Sequence, residues 1–187
     1  MTSSNPNIII GGHINSGKTT IANYLVSKYN YSKFSLGDGV KHFVSDLYSI
    51  LHTIDPSIST IDINELYTED RTIKEQHRLK MQLISTDLIK RYFGENIWID
   101  YLFNHIPPTT SPFVIDDLRF KSEFNYLSNK PNTIYIRVVR PNELNYDHVS
   151  EHELDSLPPD YLIVNDRGMD HLYSQIDDII IHHQFHS

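Results

Sequence analysis

The residues Gly12-His13-Ile14-Asn15-Ser16-Gly17-Lys18-Thr19 match G-x-x-x-x-G-K-[ST] at every fixed position. The chemistry such a run supports is phosphate binding. Glycines let backbone N–H groups converge on phosphate oxygens, and the N-terminus of the following helix adds partial positive charge. Lys18 supplies a cation for the β- and γ-phosphates, and Thr19 a hydroxyl for Mg²⁺. Gly12, Asn15, Ser16, Gly17, Lys18, Thr19 and Thr20 are therefore the expected phosphate-binding residues. The context fits, because an apolar run enters the loop and helical spacing leaves it.

A second cluster lies in Phe113-Val114-Ile115-Asp116-Asp117-Leu118-Arg119. A carboxylate at the end of a central apolar strand belongs beside the phosphate loop in folds of this type. Asp117 suits Mg²⁺ binding through water or orientation of an acceptor, and Arg119 suits an acceptor phosphate. The plainer alternative is a helix-capping Asp beside a surface Arg. A phosphate loop by itself gives a nucleotide-binding fold, not a reaction. The N-K-x-D signature of guanine recognition is missing, since Asn165-Asp166 has no Lys between, and 187 residues is short for a motor ATPase. A small kinase is the best remaining class.

The elements that must position these groups alternate along the chain, as in an α/β domain. Strands are expected at Asn7–Ile10, Lys33–Leu36, Phe113–Ile115, Thr133–Val139 and Tyr161–Val164. Helical spacing occurs at Ile21, Leu25 and Tyr29, then at Val40, Phe43, Val44, Leu47 and Leu51. Residues 52–70 look like a polar surface excursion. Residues 72–92 form a helix with Met81, Ile84, Leu88 and Tyr92 on one face, broken at Gly94. Ile97 to His105 starts another, ended by Pro107-Pro108, and a further helix runs through Phe124 and Leu127. The last helix buries Leu172, Ile176, Ile179 and Ile180. Residues 141–159, with Pro141, Pro158 and Pro159, form a candidate lid. Strand alternation puts Arg137 on the face opposite Ile136 and Val138, which makes Arg140 the better lid arginine.

Composition bounds the function. There are 16 Lys plus Arg against 24 Asp plus Glu, a net charge of -8, which disfavours wrapping nucleic acid. There is no Cys, which excludes thiol chemistry and disulfides and fits a reducing compartment. No apolar run approaches the ~20 residues a bilayer demands, and no signal peptide is evident. The histidines His182, His183 and His186 look like a solvated tail.

The run Asp117-x-Arg119-x-x-x-Glu123 resembles the D-x-R-x-x-x-E segment of bacteriophage and large-DNA-virus deoxynucleoside monophosphate kinases. Further likenesses follow in order. Leu36-Gly37-Asp38-Gly39-Val40-Lys41 sits where that family has a turn and a Lys. Glu69-Asp70-Arg71 resembles its D-R element, and Arg78 to Leu88 resembles its R-x-x-x-Q-x-x-G-T-D-L helix, with Ser85 for Gly. Trp98 resembles a lone Trp in the next helix. Val138-Val139-Arg140-Pro141 and His148-Val149-Ser150-Glu151 resemble the fourth strand and lid, and Asp160 to Asp166 the closing strand.

The resemblance implies a three-layer P-loop NTPase fold with a five-stranded parallel sheet. It implies one domain over 1–187, with a monophosphate-binding region near 39–106 and the lid near 141–159. It implies phosphoryl transfer from ATP, with Mg²⁺, to a deoxynucleoside monophosphate, as viral DNA synthesis needs. Lys18, Asp117, Arg119 and Arg140 would be catalytic, and Thr19 and Asp117 would hold the metal. Lys41, Arg71, Arg78, Gln82, Thr86, Asp87, Trp98, Arg119 and Glu123 would bind the acceptor, and Asn165 would border the adenine. Trp98 fits a core position equally well. Similar enzymes often form homodimers, need no nucleic acid or membrane, and work in the cytoplasm, here that of a host. The alternatives are another small P-loop kinase, such as one acting on dephospho-coenzyme A or a phosphorylated metabolite, and a nucleotide-binding module without transfer activity.

Overall fold

A computed structural model describes residues 5–68, 70–105, 111–141 and 153–186, the side chains of Arg71 and His186 excepted. The chain divides into two compact units, one made of residues up to 35 with those from 106 onward, the other of residues 36–105.

The first unit is built on a five-stranded sheet in the order β2-β3-β1-β4-β5. Its strands are β1 (Asn7–Gly11), β2 (Ser32–Phe34), β3 (Phe113–Ile115), β4 (Thr133–Val139) and β5 (Tyr161–Val164). Every pair is parallel. Parallel sheets are covered on both faces, so their strands are near-continuous apolar runs. Ile8, Ile10, Val114, Ile134, Ile136 and Val138 pack with α1 (Lys18–Tyr29) and the C-terminal helix Met169–His186. The lone alanine, Ala22, is fully buried in that layer. On the other face, Tyr135 meets Phe124 of the helix Lys121–Ser128 edge-on, centroids 5.0 Å apart. The result is the three-layer P-loop fold. β1 is central, with β3 and β4 on either side, so chain connections leave it in opposite directions. Such a switch point opens a crevice at the carboxyl ends of the strands, where the glycine-rich loop lies.

The second unit is helical. It contains α2 (Leu36–Ile54), α3 (Ile63–Tyr67), α4 (Arg71–Gln82), a π-helical continuation over Leu83–Lys90, α5 (Arg91–Phe93) and α6 (Ile97–His105). The helices of the first unit are numbered on as α7 (Lys121–Ser128) and α8 (Met169–His186). Val40, Val44, Ile61, Leu66, Ile89 and Trp98 form the core of the helical unit. Among the described residues no helix is long and apolar enough to cross a membrane.

Four expectations need correction. Leu36 to Lys41 is the first turn of α2, not a turn after a strand, and β2 ends at Phe34. Gly39 is there for space, since a Cβ would lie 2.6 Å from the Tyr101 ring. Residues 52–70 are not only a surface excursion. Ile61 and Leu66 are buried, Asp62 caps α3 by accepting from the Asn64 N–H at 2.8 Å, and Asp70 caps α4 in the same way. The Asp62/Glu65 spacing is a capping signature that marks this helix in the sequence. The 72–92 helix does not keep one face. The π-turn adds a residue to the repeat, so burial passes from Ile84 to Ile89, five residues on, leaving Leu88 and Tyr92 exposed. The C-terminal histidines are not a tail. His182 meets the Tyr161 hydroxyl at 3.1 Å and His183 the Asn132 side chain at 2.9 Å, both from α8. Finally, His148, Ser150, Glu151, Glu69 and Pro107-Pro108 lie outside the described residues.

Asp177 joins α8 to α1. It accepts from Tyr24 at 2.9 Å, Tyr29 at 2.7 Å and Lys28 at 2.8 Å. Partial burial pushes its carboxyl up, but the bonds from Lys28, Tyr29 and Tyr24 outweigh this and hold it below the usual carboxylate range. A group depressed on folding contributes stability above its unfolded pKa, ~3.9 for Asp, and loses it as pH falls toward the folded value. Melting temperature against pH should therefore fall less steeply below pH ~4 in Asp177→Asn than in wild type. Identical acid limbs would remove Asp177 from the balance.

Candidate active site

The loop between β1 and α1 must leave a buried strand and enter a helix within a few residues. Two glycines make this geometry accessible. Gly12 has φ 145° and a Cβ there would lie 2.3 Å from the Val138 carbonyl; Gly17 has φ 112° and a Cβ there would lie 2.6 Å from Asn165 Nδ2. Asn15, at φ 65°, is a residue type that tolerates this region.

The loop carbonyls are taken up from several directions. Lys18 Nζ donates to the carbonyls of Gly12 and His13, each at 2.6 Å. Arg140 donates to the carbonyl of Asn15 at 3.1 Å. Asn165 Nδ2 donates to the carbonyl of Ser16 at 2.8 Å, and the carbonyl of Gly17 accepts from the Ile21 N–H at 3.1 Å. Ser16 is fully buried, and its hydroxyl has no hydrogen-bond partner among the described residues. Thr19 is exposed and Thr20 half-buried on the first turn of α1. Asn165 is itself 7% exposed and anchored by its own N–H on Val139, so what it visibly does is brace the loop.

The two aspartates after β3 have different settings. Asp116 is buried and paired with Lys33 at 3.0 Å. Asp117 is half-buried and accepts from the Ser35 hydroxyl at 2.7 Å. Arg119 follows with an exposed side chain. Glu123 is buried, and its carboxylate accepts from the backbone N–H groups of Arg119 at 3.0 Å and Phe120 at 3.1 Å. It fixes the entry to α7 and with it the placement of Arg119, which is a capping task.

Lys18, Thr19, Asp117, Arg119, Glu123, Arg140 and Asn165 thus belong to the sheet unit. Lys41, Arg71, Arg78, Gln82, Thr86, Asp87 and Trp98 belong to the helical unit. There Lys41 pairs with Asp38 at 3.1 Å and lies 4.0 Å from the Tyr67 ring centroid. Arg78 pairs with Glu75 at 3.5 Å on the surface. Asp87 is exposed, while Gln82 and Thr86 are half-buried. Trp98 is 5% exposed, lies edge-on to Phe43, and donates its indole N–H to the Ser85 carbonyl at 3.2 Å. Its packing is that of a core residue. Arg71 opens α4 directly after the capping Asp70.

Sequence reasoning missed Ser35 and Asp155. Ser35 meets Asp117 across 82 residues of chain, and Asp155 meets Arg137 across 18. Neither contact leaves a local pattern. Asn165→Ala would orphan the Ser16 carbonyl and open space beside Gly17. It should cost about 1–3 kcal/mol of stability and weaken nucleotide binding, both checked by thermal unfolding with and without MgATP. A variant as stable as wild type would contradict the bracing role.

A model of the family described as "Deoxynucleotide monophosphate kinase" matches residues 57–176. That stretch excludes the glycine-rich loop, so loop and family match are separate observations. A protein of Acanthamoeba polyphaga mimivirus, whose description as a deoxynucleotide monophosphate kinase is provisional, is 27% identical over 187 residues, covering 90% of this chain and 94% of its own. Among solved structures, TT1252 from Thermus thermophilus superposes with a TM-score of 0.53 at 16% identity, covering 96% of this chain and 98% of the other, which is a likeness of fold. A dephospho-CoA kinase from Campylobacter jejuni gives 0.48 at 15% identity, covering 95% and 97%. With most of its length matched by the family model, the chain belongs to the deoxynucleotide monophosphate kinase family.

Proposed function

We propose that the protein transfers the γ-phosphoryl group of ATP to a deoxynucleoside monophosphate, giving the diphosphate. The observation that carries this is the intact Gly-Lys-Thr loop at the switch point of the sheet, in a chain whose residues 57–176 match the kinase family.

Phosphoryl transfer asks the protein for position and charge more than for covalent chemistry. Lys18 and the amides at the start of α1 would hold the donor phosphates. The Lys18 ammonium donates to two loop carbonyls, which places it at the mouth of the loop where donor phosphate oxygens would be received. Arg140, already on the loop, would counter charge developing on the transferred group. Arg119, exposed beside Asp117, would face the acceptor phosphate. Residues 36–105 are assigned to acceptor binding, with Lys41 and Arg71 for phosphate and with Gln82, Thr86 and Asp87 for sugar or base. In that unit Trp98 serves chiefly by holding the π-helical segment.

The oxygen donors present fit Mg²⁺. Thr19 offers a hydroxyl and Asp117 a carboxylate, while no cluster of three or more His, Cys, Asp or Glu is found among the described residues. Mg²⁺ in phosphoryl-transfer sites takes one or two protein oxygens and completes its shell with phosphates and water. When bound it would neutralise charge on the β- and γ-phosphates.

Lys18→Ala should still fold, with a lowered melting temperature because the Gly12 and His13 carbonyls lose a donor, and should lower kcat by about 10²–10³-fold, the range for lost charge stabilisation at a reacting centre. Unchanged turnover would sink the donor-loop assignment. Arg71→Ala should chiefly raise KM for the monophosphate, whereas an effect confined to ATP would move Arg71 to the donor side.

A further inference from the structure

The turn preceding β5 is fastened at three consecutive residues. Glu153 accepts from the backbone N–H of Lys121, at the start of α7, at 2.8 Å. Leu154 is 6% exposed, and its Cδ1 would lie 3.1 Å from a Cβ on Gly11. Asp155 takes the Arg137 guanidinium in a fork, one N–H on its backbone carbonyl at 2.8 Å and another on its carboxylate. The same carboxylate oxygen meets His13 Nε2 at 3.3 Å. Downstream, the Asp160 carboxylate accepts from the Tyr135 N–H at 2.8 Å, so the turn is fixed along β4 at both ends.

The place is specific. Arg137 is paired in register with Gly11, the residue before the first glycine of the phosphate loop, and His13 lies within that loop. The Tyr135 hydroxyl is buried in the same corner with no hydrogen-bond partner among the described residues. Burial raises the pKa of its phenol; the Arg137 charge lowers it by less, and the Asp155 charge raises it further. An ordinary surface ion pair adds little stability and spends side-chain entropy. Two donors fixed on one residue, one on its backbone carbonyl and one on its carboxylate, give the planar guanidinium orientation instead.

Building on the kinase reading above, we propose that Asp155 is a positioning residue for phosphoryl transfer: it holds the Arg137 guanidinium beside the start of the phosphate loop and ties His13 of that loop to the same point. Arg140 grips the loop directly at Asn15, and Arg137 is held to it through Asp155. An arginine within β4 and one just after it thereby brace the phosphate loop at His13 and at Asn15. Asp155 itself is an anion beside a site for polyanions. Its removal should not weaken ground-state nucleotide binding by electrostatics, yet it should loosen Arg137 when charge develops.

The test is a double-mutant cycle with Asp155→Asn and Arg137→Lys. It is scored in kcat and in the Kd of MgADP with aluminium fluoride, a mimic of the transferring phosphoryl group whose acceptor-side axial position water can fill. Each single variant should lose about 10-fold in both, a cost typical of small misplacement of an oriented group. The double variant should lose no more than either single, because the two act as one unit. The Kd of MgADP alone should stay within ~2-fold, and Asp155→Glu should recover part of the loss. Full activity in Asp155→Asn, multiplied losses in the double variant, or an equal loss of plain MgADP binding would each overturn the proposal. A wild-type protein that traps the mimic but phosphorylates no deoxynucleotide would instead remove the proposed function, with the cycle still scored on the mimic.

Discussion

The structure hangs on how a short loop disposes of its own carbonyls. Between β1 and α1 the backbone turns sharply, and carbonyls that no strand or helix can satisfy must find donors elsewhere. Lys18 takes two, Arg140 one and Asn165 one. These donors come from α1, from the residue after β4 and from the residue after β5. The loop is therefore shaped by the parallel sheet as a whole, and its shape requires each of those strands to end where it does. Gly12 and Gly17 complete the constraint, because side chains at either position would strike the Val138 carbonyl or Asn165.

From this follows a division of labour. The sheet unit carries the phosphate loop, the two aspartates after β3, Arg137 of β4, Arg140 just beyond it and Arg119 of the β3–α7 turn. Several of its charged groups are used on other protein groups: Asp116 on Lys33, Glu123 on the amides at α7, Asp155 on Arg137. In a chain with a net charge of -8, exposed cations such as Arg119 stand out against that background. The helical unit has its own core and its own polar inventory, ordered by aspartate caps at Asp62 and Asp70 and by the Trp98 bond to Ser85.

Much of the sheet unit was legible in the sequence, because parallel strands are short apolar runs and the phosphate loop has a fixed spacing. All five strands were found, with β2 drawn too far to Leu36. The helical unit was less legible. A π-turn breaks the 3.6-residue period, so Leu88 and Tyr92 were expected inside when Ile89 is. The resemblance put a turn at Leu36 to Lys41, where the chain is already helical and packing against Tyr101 explains Gly39. Ile61 and Leu66 were hidden in polar surroundings. Within the candidate site the glycine-rich loop was legible by its spacing, but the bonds its neighbours make were not. Glu123 matched a motif, yet its carboxylate caps a helix. Ser35 and Asp155 act only through long-range contacts that a linear pattern does not encode.

The central claim is that this loop delivers the γ-phosphoryl group of ATP to a second nucleotide. Chromatography of reactions containing the protein, MgATP and, in turn, dTMP, dGMP, dCMP, dAMP and their ribose counterparts tests it most directly. The account predicts ADP and the matching deoxynucleoside diphosphate in equal amounts with at least one acceptor, and neither product without one. ATP binding with no diphosphate formed from any monophosphate would contradict it.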